Sequence, residues 1–222
     1  MRTEARGISV GLDSFSVPLN ATNNPERGIS ATVPRPLTRY AFFFSLAGGG
    51  LFWDLWSKWS VFDLLGCPGF RPVWKGSLLG IAIQFDLATT FNHGALWGIG
   101  QNQTWLFASL SFFAIGVIGY FVWTGQAVAS WWLTFATGLL LAGTLGNLYD
   151  RLGLHGWKAA DGPVYAVRDF LDFVFNEGAF HWATFNFADT FLVAGAIMLV
   201  LQSLWAPPGE SPVKPANISP AR

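Results

Sequence analysis

The longest run without a charged residue in this chain extends over residues 87 to 149 and contains no Asp, Glu, Lys or Arg. Such a run is too long for one buried helix of a water-soluble domain, and it exceeds twice the roughly 20 residues that a helix needs to cross a bilayer. The chain as a whole agrees, because only 12% of its residues are charged, against about 25% in soluble domains. The run therefore predicts a chain that folds back on itself within a membrane.

Four apolar segments are each long enough to cross the hydrocarbon as a helix, at about 1.5 Å of rise per residue. They lie at about 40–62, 104–123, 127–149 and 185–205. Because only residues 124–126, Thr-Gly-Gln, separate the second segment from the third, we expect these two helices to form a tight antiparallel hairpin. The even number of spans predicts that both termini lie on one side of the membrane.

The two ends of the chain differ from its apolar middle. Residues 1–38 mix Pro, Asn, Ser, Thr and Arg and lack the apolar core of a cleavable signal, so we expect a flexible arm. Residues 206–222 are rich in proline and predict a flexible tail. Arginines before the first span favour cytoplasmic termini by the positive-inside rule. The predicted organisation is thus an arm, a four-span domain at 39–205 and a tail.

The two long loops between spans predict structure at the opposite surface. In the first loop, Gly and Pro precede an apolar stretch at 77–85, which predicts a small sheet or hairpin on the outer surface. In the second loop, apolar and acidic positions alternate over 169–175, which predicts a short interfacial helix or a strand. The predicted fold class is an all-α integral membrane protein with four transmembrane helices, a small extracytoplasmic β-sheet and a short interfacial helix.

Charge and cysteine content exclude several kinds of function. The formal net charge is zero, whereas nucleic-acid binding calls for clustered Lys and Arg. Cys67 is the only cysteine, so an intramolecular disulfide cannot form. The three histidines are too scattered along the chain for a metal site. We expect no cofactor.

Two aspartates, Asp169 and Asp189, bracket the loop before the last apolar segment. A carboxylate at the end of a membrane helix is costly and therefore usually has a function. Two carboxyls held close together cannot both ionise cheaply, so one keeps a proton while the other removes a proton from water. We expect Asp189 to be the ionised member, because the dipole at the start of a helix favours an anion.

Each of these signals also has a structural interpretation that stays open. Asn186 followed by Asp189 is typical of an N-cap and the first turn of a helix. Asp150 and Arg151 are typical of an interfacial ion pair at the end of a span. Asp172 lies three residues after Asp169 and is its main rival for a catalytic role.

Several short motifs follow one another in an order that is specific as a combination, although each motif alone is weak. They are Asp54 with Lys58, Asn92-His93-Gly94-Ala95, Gly143 with Gly146-Asn147-Leu148-Tyr149-Asp150-Arg151, Val167-Arg168-Asp169-Phe170, and Phe185-Asn186-Phe187-Ala188-Asp189. In this order they resemble the bacterial lipoprotein signal peptidases (signal peptidase II), over about residues 40 to 205. The chain departs from the usual pattern at Leu96 and Trp97, and its segment 153–166 is longer than expected for the family.

The resemblance implies an intramembrane aspartyl endopeptidase that removes the signal peptide of a diacylglyceryl-modified prolipoprotein by cleaving before the lipidated cysteine. Carried over residue by residue, it implies that Asp169 and Asp189 form the catalytic dyad. The substrate-binding residues around the dyad would be Asn92, Gly94, Asn147, Asp150, Arg151, Asn186 and Ala188. Asp54 and Lys58 would brace the first span through an i, i+4 salt bridge.

The resemblance further implies a monomeric multi-pass protein of the bacterial inner membrane, with its active site near the outer leaflet and its substrates embedded in lipid. The alternative from another class is a non-catalytic four-span protein, such as a small transporter or assembly factor, whose aspartates relay protons or pair with a partner. Broken helices and paired repeats are typical of transporters, and the sequence displays neither. A catalytically inactive family member is a third possibility, but the presence of both aspartates argues against it.

Overall fold

The structure, a computed structural model, describes residues 37–94, 100, 103–160 and 162–205. Within these ranges the chain forms four long helices: α1 (Leu37–Leu65), α2 (Thr104–Trp123), α3 (Trp131–Arg151) and α4 (Phe187–Trp205). Four strands form one antiparallel sheet: β1 (Gly69–Leu78), β2 (Ile81–Asn92), β5 (Val167–Phe175) and β6 (Phe180–His181). Two short strands, β3 (Lys158–Ala159) and β4 (Gly162–Pro163), form a separate hairpin, and Asn176–Gly178 is a 3-10 turn. The predicted arm and tail, together with Leu96 and Trp97, lie outside the described residues.

The four apolar segments of the sequence are helical in the structure. Helix α2 has the predicted bounds, whereas α3 begins four residues later than predicted because the connecting turn is longer. Ser130 ends that turn as the N-cap of α3, and its hydroxyl accepts a hydrogen bond from the Leu133 amide at 3.1 Å. By length and composition, α2 and α4 are the described helices that qualify as membrane spans.

Helix α3 lies at the centre of the helices and packs against α1, α2 and α4. Small residues on a helix face allow close approach of neighbouring backbones, and two glycines of α3 serve this purpose. A Cβ atom at Gly143 would collide with the backbone oxygen of Ala188, and one at Gly146 would collide with the Asp54 carboxylate. The absence of these two side chains allows the first turn of α4, which carries Asp189, to lie directly against α3.

The sheet has the strand order β1-β2-β5-β6, so a long β1–β2 hairpin pairs with the strand that carries Asp169. The base of the hairpin is tied to the end of α1, because the Thr89 hydroxyl donates a hydrogen bond to the Gly66 carbonyl at 2.6 Å. The predicted sheet or hairpin around residues 77–85 is therefore confirmed. A register shift in β2 between Leu87 and Thr90 lies beside Asp169, and such bulges commonly re-aim side chains next to active sites.

The prediction of a short interfacial helix at 169–175 is wrong, and the strand alternative is the one that forms. Alternation with a period of two places successive side chains on opposite faces of a strand, and β5 pairs with β2 on one edge and β6 on the other. The described chain is accordingly a helical protein with a substantial sheet, and the label all-α does not fit it. This alternation also sends Arg168 and Asp169 to opposite faces of the sheet.

Candidate active site

The first turn of α4 holds Asp189 through a reciprocal pair of hydrogen bonds. The Asn186 side-chain oxygen accepts from the Asp189 amide at 3.1 Å, and the Asp189 carboxylate accepts from the Asn186 amide at 3.2 Å. This is a capping box, so the N-cap interpretation of these two residues is confirmed. The same Asn186 also donates its side-chain NH₂ to the Asp169 carboxylate at 2.6 Å. One residue therefore contacts both aspartates and serves as a cap and as a bridge.

Asp169, on β5, is 2% exposed and accepts a hydrogen bond at each carboxylate oxygen. One bond comes from Asn186, and the other comes from the Asn92 side-chain NH₂ at 3.0 Å. Asn92 is itself oriented, because its side-chain oxygen accepts from the Gly94 amide at 3.0 Å. The predicted residues Asn92 and Gly94 are thus brought to one carboxyl of the predicted dyad.

The other carboxyl is reached from α3. Asn147 donates its side-chain NH₂ to the Asp189 carboxylate at 2.7 Å, and its side-chain oxygen accepts from the Lys58 ammonium at 3.1 Å. An ammonium group has only donors, so Lys58 fixes which end of the Asn147 amide faces Asp189. Every asparagine around the two carboxyls therefore presents a donor to them.

Burial, and after it the nearby charge of Asp189, raise the pKa of Asp169 to about 8. The hydrogen bonds from Asn92 and Asn186 act in the opposite direction, because they stabilise the ionised form. Burial is the larger effect, so Asp169 carries a proton at neutral pH. A protonated carboxyl beside a second carboxyl is the arrangement that general acid–base chemistry requires.

Behind the site lies a buried charge cluster of Asp54, Lys58, Asp150 and Arg168. The Lys58 ammonium lies 2.8 Å from Asp54 and 3.1 Å from Asp150, and the Arg168 guanidinium lies 2.8 Å from Asp150. The predicted i, i+4 pair of Asp54 and Lys58 is therefore confirmed. The cluster contains two positive and two negative groups, and such pairing is what makes charges tolerable away from water.

Asp150 and Arg151 are adjacent in the sequence, but they have different surroundings in the structure. Asp150 does not pair with Arg151 but belongs to the charge cluster, where it also accepts from the Arg168 backbone amide at 3.0 Å. Arg151 instead lies over the Phe107 ring, 5.4 Å from its centroid, and is close enough to feel the charges of Asp189 and Asp169. Arg151 thus approaches the dyad, whereas Asp150 supports it from behind.

Ala188 and Asp172 complete the predicted set. Ala188 is fully buried, and its amide donates to the Asp54 carboxylate at 2.8 Å, which ties the start of α4 to α1. Asp172 is also buried, but its carboxylate bonds with the Thr184 hydroxyl at 3.0 Å and the His181 ring at 2.7 Å. Three positions separate Asp172 from Asp169, so the two carboxylates project from opposite faces of β5.

An apolar groove of about 440 Å³ begins at Asp189. It runs between the sheet and α4, and its lining comprises Phe173, Phe175, Trp182, Phe185, Asp189, Thr190, Val193, Ala194 and Ile197. The phenylalanines that flank the two aspartates can be identified in the sequence. The α4 side chains that line the groove cannot, because they depend on how that helix is rotated about its axis. Among the described residues no group of three or more His, Cys, Asp or Glu side chains is placed to hold a metal ion.

Arg168 is the neighbour of the site that motif reasoning assigns least well. Arg168 immediately precedes Asp169 in the sequence, and the two point in opposite directions. The signal that identifies its role is the strand alternation of β5 together with Asp150 at the end of α3, the acid with which Arg168 pairs. Neither signal is decisive unless residues 167–175 are known to form a strand.

The chain is similar in sequence to known proteins of one family. The family model described as signal peptidase (SPase) II matches residues 46–205. A lipoprotein signal peptidase of Rhodopirellula baltica is 42% identical over 170 residues, which cover 76% of this chain and 74% of that protein. One from Mycobacterium tuberculosis is 31% identical over 189 residues, which cover 85% of this chain and 83% of that protein.

Solved structures provide a separate comparison of the fold. A bacterial membrane enzyme solved by the in meso method at 2.3 Å resolution superposes with a TM-score of 0.57 at 23% identity, over 74% of this chain and 88% of that one. A second such structure, at 1.9 Å resolution, gives a TM-score of 0.56 at 22% identity. From the family match and the identities of its relatives, the chain belongs to the signal peptidase II family of aspartic-type peptidases.

Proposed function

We propose that this protein removes the signal peptide from diacylglyceryl-modified prolipoproteins by cleaving before the lipidated cysteine, with Asp169 and Asp189 as its catalytic dyad. The observation that carries the proposal is Asn186, which is hydrogen-bonded to both carboxyls at once. A bridging amide of this kind holds two acids in one site although their charges repel. The closely related lipoprotein signal peptidases support the choice of substrate class.

Asp189 is the general base and Asp169 the general acid. Asp189 lies in the first turn of α4, where the helix dipole favours an anion, and hydrogen bonds from the Asn147 side chain and the Asn186 amide orient its carboxylate. Asp169 holds a proton at neutral pH because its pKa is raised to about 8. The assignment agrees with the expectation from sequence that Asp189 is ionised.

The reaction then follows the order of paired-carboxylate hydrolysis. Asp189 removes a proton from water, the water oxygen attacks the scissile carbonyl carbon, and the Asp169 proton passes to the developing oxyanion. Collapse of the tetrahedral intermediate breaks the C–N bond as the amine leaving group takes up the proton held by Asp189. A hydroxyl of the intermediate returns its proton to Asp169 as the carbonyl re-forms, so the dyad ends with one proton, as it began.

The remaining residues of the predicted set position this pair and the substrate. Asn92, Asn147 and Asn186 orient the two carboxylates, while Gly94 and Ala188 fix the backbone on either side. Arg151 would hold a polar part of the substrate, because its guanidinium is close enough to feel the charges of Asp189 and Asp169 and forms no ion pair of its own among the described residues. Asp150, Asp54 and Lys58 support the site through the buried charge cluster.

We further propose that all four helices cross the bacterial inner membrane, with the dyad near the outer leaflet and both termini in the cytoplasm. Helices α2 and α4 have the required length and composition. Helices α1 and α3 comprise 29 and 21 residues, and their buried charges are paired with one another. A monomer is sufficient for this chemistry, since both aspartates belong to one chain, and the peptidase domain corresponds to residues 39–205.

The substrate would reach the dyad from the lipid, and the apolar groove beside Asp189 offers it few polar anchors. Much of the binding energy then comes from apolar groups of the substrate, at about 0.8 kcal/mol per buried methylene. Loss of the diacylglyceryl group should therefore weaken binding and misplace the scissile bond.

The test is cleavage of one prolipoprotein, with and without its diacylglyceryl group, by the purified protein in the same lipid nanodiscs. Mass spectrometry of the products should place the cut immediately before the modified cysteine, and the unmodified form should react at least about tenfold more slowly, as loss of a few buried methylenes demands. Equal rates for the two forms would contradict lipid-dependent recognition. No cleavage of either form would favour the alternative of a non-catalytic membrane protein.

A further inference from the structure

The turn between β1 and β2 carries apolar side chains where a turn in water carries polar ones. We call Leu78, Leu79, Gly80 and Ile81 the hairpin tip; Leu79 is 94% exposed, Leu78 62% and Ile81 45%. Leu79 and Gly80 have positive φ angles of 49° and 82°, which is typical of a type I′ turn, for which Asn-Gly is the preferred pair. Leucine at this position is unfavourable both for the turn and for contact with water, so the tip requires an apolar environment.

The sequence around the tip is that of a segment at a membrane surface. No charged residue occurs between Lys75 and Asp86. On the tip side of β1, Val73 and Trp74 are 51% and 52% exposed, and the exposed Lys75 follows them. Tryptophan and lysine beside an apolar end are typical of the level of the lipid headgroups, where the indole and the ammonium face phosphate and water.

The apolar groove brings one end of the sheet close to α4. It is lined by Phe175 at the end of β5, by Trp182 directly after β6, and by Val193 and Ile197 of α4. Ile197 lies ten residues after the start of α4 at Phe187, which is about 15 Å along the helix axis and about half of the roughly 30 Å hydrocarbon thickness. The groove therefore extends from Asp189 along α4 into the part of that helix that is within the hydrocarbon, and Phe175 at the end of β5 is one of its lining residues.

The strand register places the hairpin tip at that same end of the sheet. Phe175 pairs with Ile83 of β2, and the β1–β2 ladder continues two residues beyond Ile83 to the last pair, Leu78 with Ile81. The tip thus extends past the side chains that share the groove with α4. Val193 and Ile197 of that helix are themselves 59% and 53% exposed, as lipid-facing residues are.

We propose that the hairpin tip inserts its apolar side chains into the lipid leaflet on the active-site side of the membrane. This inference rests on the proposed membrane span of α4. The insertion anchors the free end of the sheet beside the apolar groove, so that β5 keeps its position over the path by which the lipid-modified part of the substrate reaches Asp189.

The test measures which environment the tip occupies in a bilayer. After replacement of Cys67 by serine, a single cysteine is placed at Leu79 and labelled with a nitroxide in nanodiscs, and its collision rates with oxygen and with a water-soluble nickel complex are measured. Ala160, exposed in the β3–β4 hairpin, is the matched turn control, and Val200 on the exposed face of α4 is the lipid control. We expect the Leu79 label to match Val200, with collisions with oxygen several-fold in excess of those with nickel.

The other outcomes separate this inference from the proposed function. If Val200 reports lipid while Leu79 matches Ala160, the inference is overturned and the membrane placement of α4 stands. If Leu79 is shielded from both reagents, a second copy or another protein covers the tip, and lipid insertion is again overturned. If Val200 itself reports water, the placement of α4 fails and the inference fails with it.

A second variant tests what the insertion does. Leu79→Asn improves the residue preference of the turn, so its fold should be preserved, but it makes the tip polar. In nanodiscs we expect KM for the lipid-modified substrate to rise several-fold, with thermal unfolding unchanged and with Ala160→Asn unchanged in both measurements. An unaltered KM in Leu79→Asn would overturn the role of the tip in holding the sheet over the groove.

Discussion

Lys58 should be the most sensitive position of the buried charge cluster. It is completely buried, lies 2.8 Å from Asp54 and 3.1 Å from Asp150, and donates to Asn147 at 3.1 Å. Replacement of Lys58 by methionine keeps an unbranched apolar stem but removes the charge. Asp150 retains Arg168 as a partner, whereas Asp54 is left with only the Ala188 amide. The cluster then changes from neutral to a net charge of minus one.

The expected cost follows from that uncompensated carboxylate. Breaking a buried ion pair by removing one partner destabilises a protein by about 3–5 kcal/mol, and we expect the free energy of unfolding of Lys58→Met to fall by this amount. The double variant Asp54→Asn/Lys58→Met is neutral again and should recover a large part of the loss. It should not recover activity, because the Asn147 amide still lacks the Lys58 ammonium that orients it. Loss of that oriented hydrogen bond to Asp189 should lower kcat about 10- to 100-fold.

The assay is equilibrium unfolding in mixed detergent micelles, followed by circular dichroism, together with kcat at saturating substrate. Lys158→Met, at an exposed position on β3, is the matched control and should change neither quantity appreciably. The role of Lys58 as the partner of Asp54 and the anchor of Asn147 is refuted if Lys58→Met is as stable as Lys158→Met, since the charges would then be solvated. It is also refuted if the double variant regains full activity along with stability, because Lys58 would then act on stability alone.

Three further predictions concern the proton, the topology and the helix packing. Because the active dyad holds one proton and the pKa of Asp169 is raised to about 8, the cleavage rate should fall about tenfold per pH unit above that value; a flat profile up to about pH 10 would contradict the assignment. With the native cysteine replaced by serine, an impermeant thiol reagent added to intact cells should label a cysteine at Ala160 but not one at Gln126, and the reverse pattern would invert the topology. Gly143→Ala should lower the free energy of unfolding by about 1–3 kcal/mol through collision with the start of α4, whereas Gly116→Ala on α2, where a Cβ meets nothing within 4 Å, should be tolerated.

The helices could be predicted well because each of them corresponds to a long apolar segment of the sequence. The uncharged run and its single Thr-Gly-Gln interruption were sufficient to place α2 between Thr104 and Trp123. The start of α3 was less predictable, since residues 127–130 are as apolar as the helix that follows. The capping hydroxyl of Ser130 decides it, and a serine within an apolar run is a weak signal.

The second loop shows why local pattern is insufficient for the rest of the fold. Alternation at 169–175 is compatible with a strand or an interfacial helix, and the choice depends on whether an unpaired strand edge is available to β5. That edge is provided by β2, which is distant in the sequence, so the pairing is a tertiary effect. The pairing of Asp150 with Arg168 could not be predicted for the same reason, because Arg168 faces Asp150 only when β5 is a strand.

The residues of the candidate site could be predicted from the sequence, but the hydrogen bonds that link them could not. The motif order named both aspartates and the asparagines, but it did not indicate that Asn186 acts as cap and bridge together. Nor did it indicate that Lys58, assigned as a brace of the first span, is connected through Asn147 to Asp189. These links depend on the close approach of α1, α3 and α4 at Gly143 and Gly146, which is a property of three helices and not of one.

The most direct test of the central claim is cleavage of a purified diacylglyceryl-prolipoprotein, followed by gel shift, by three variants that each replace one carboxylate with an amide. We predict that Asp169→Asn and Asp189→Asn lose cleavage while remaining folded in the membrane, because an amide can neither take up nor share the proton. The matched control Asp172→Asn, on the opposite face of β5, should retain substantial activity. Full activity of either Asp169→Asn or Asp189→Asn would contradict the proposed dyad.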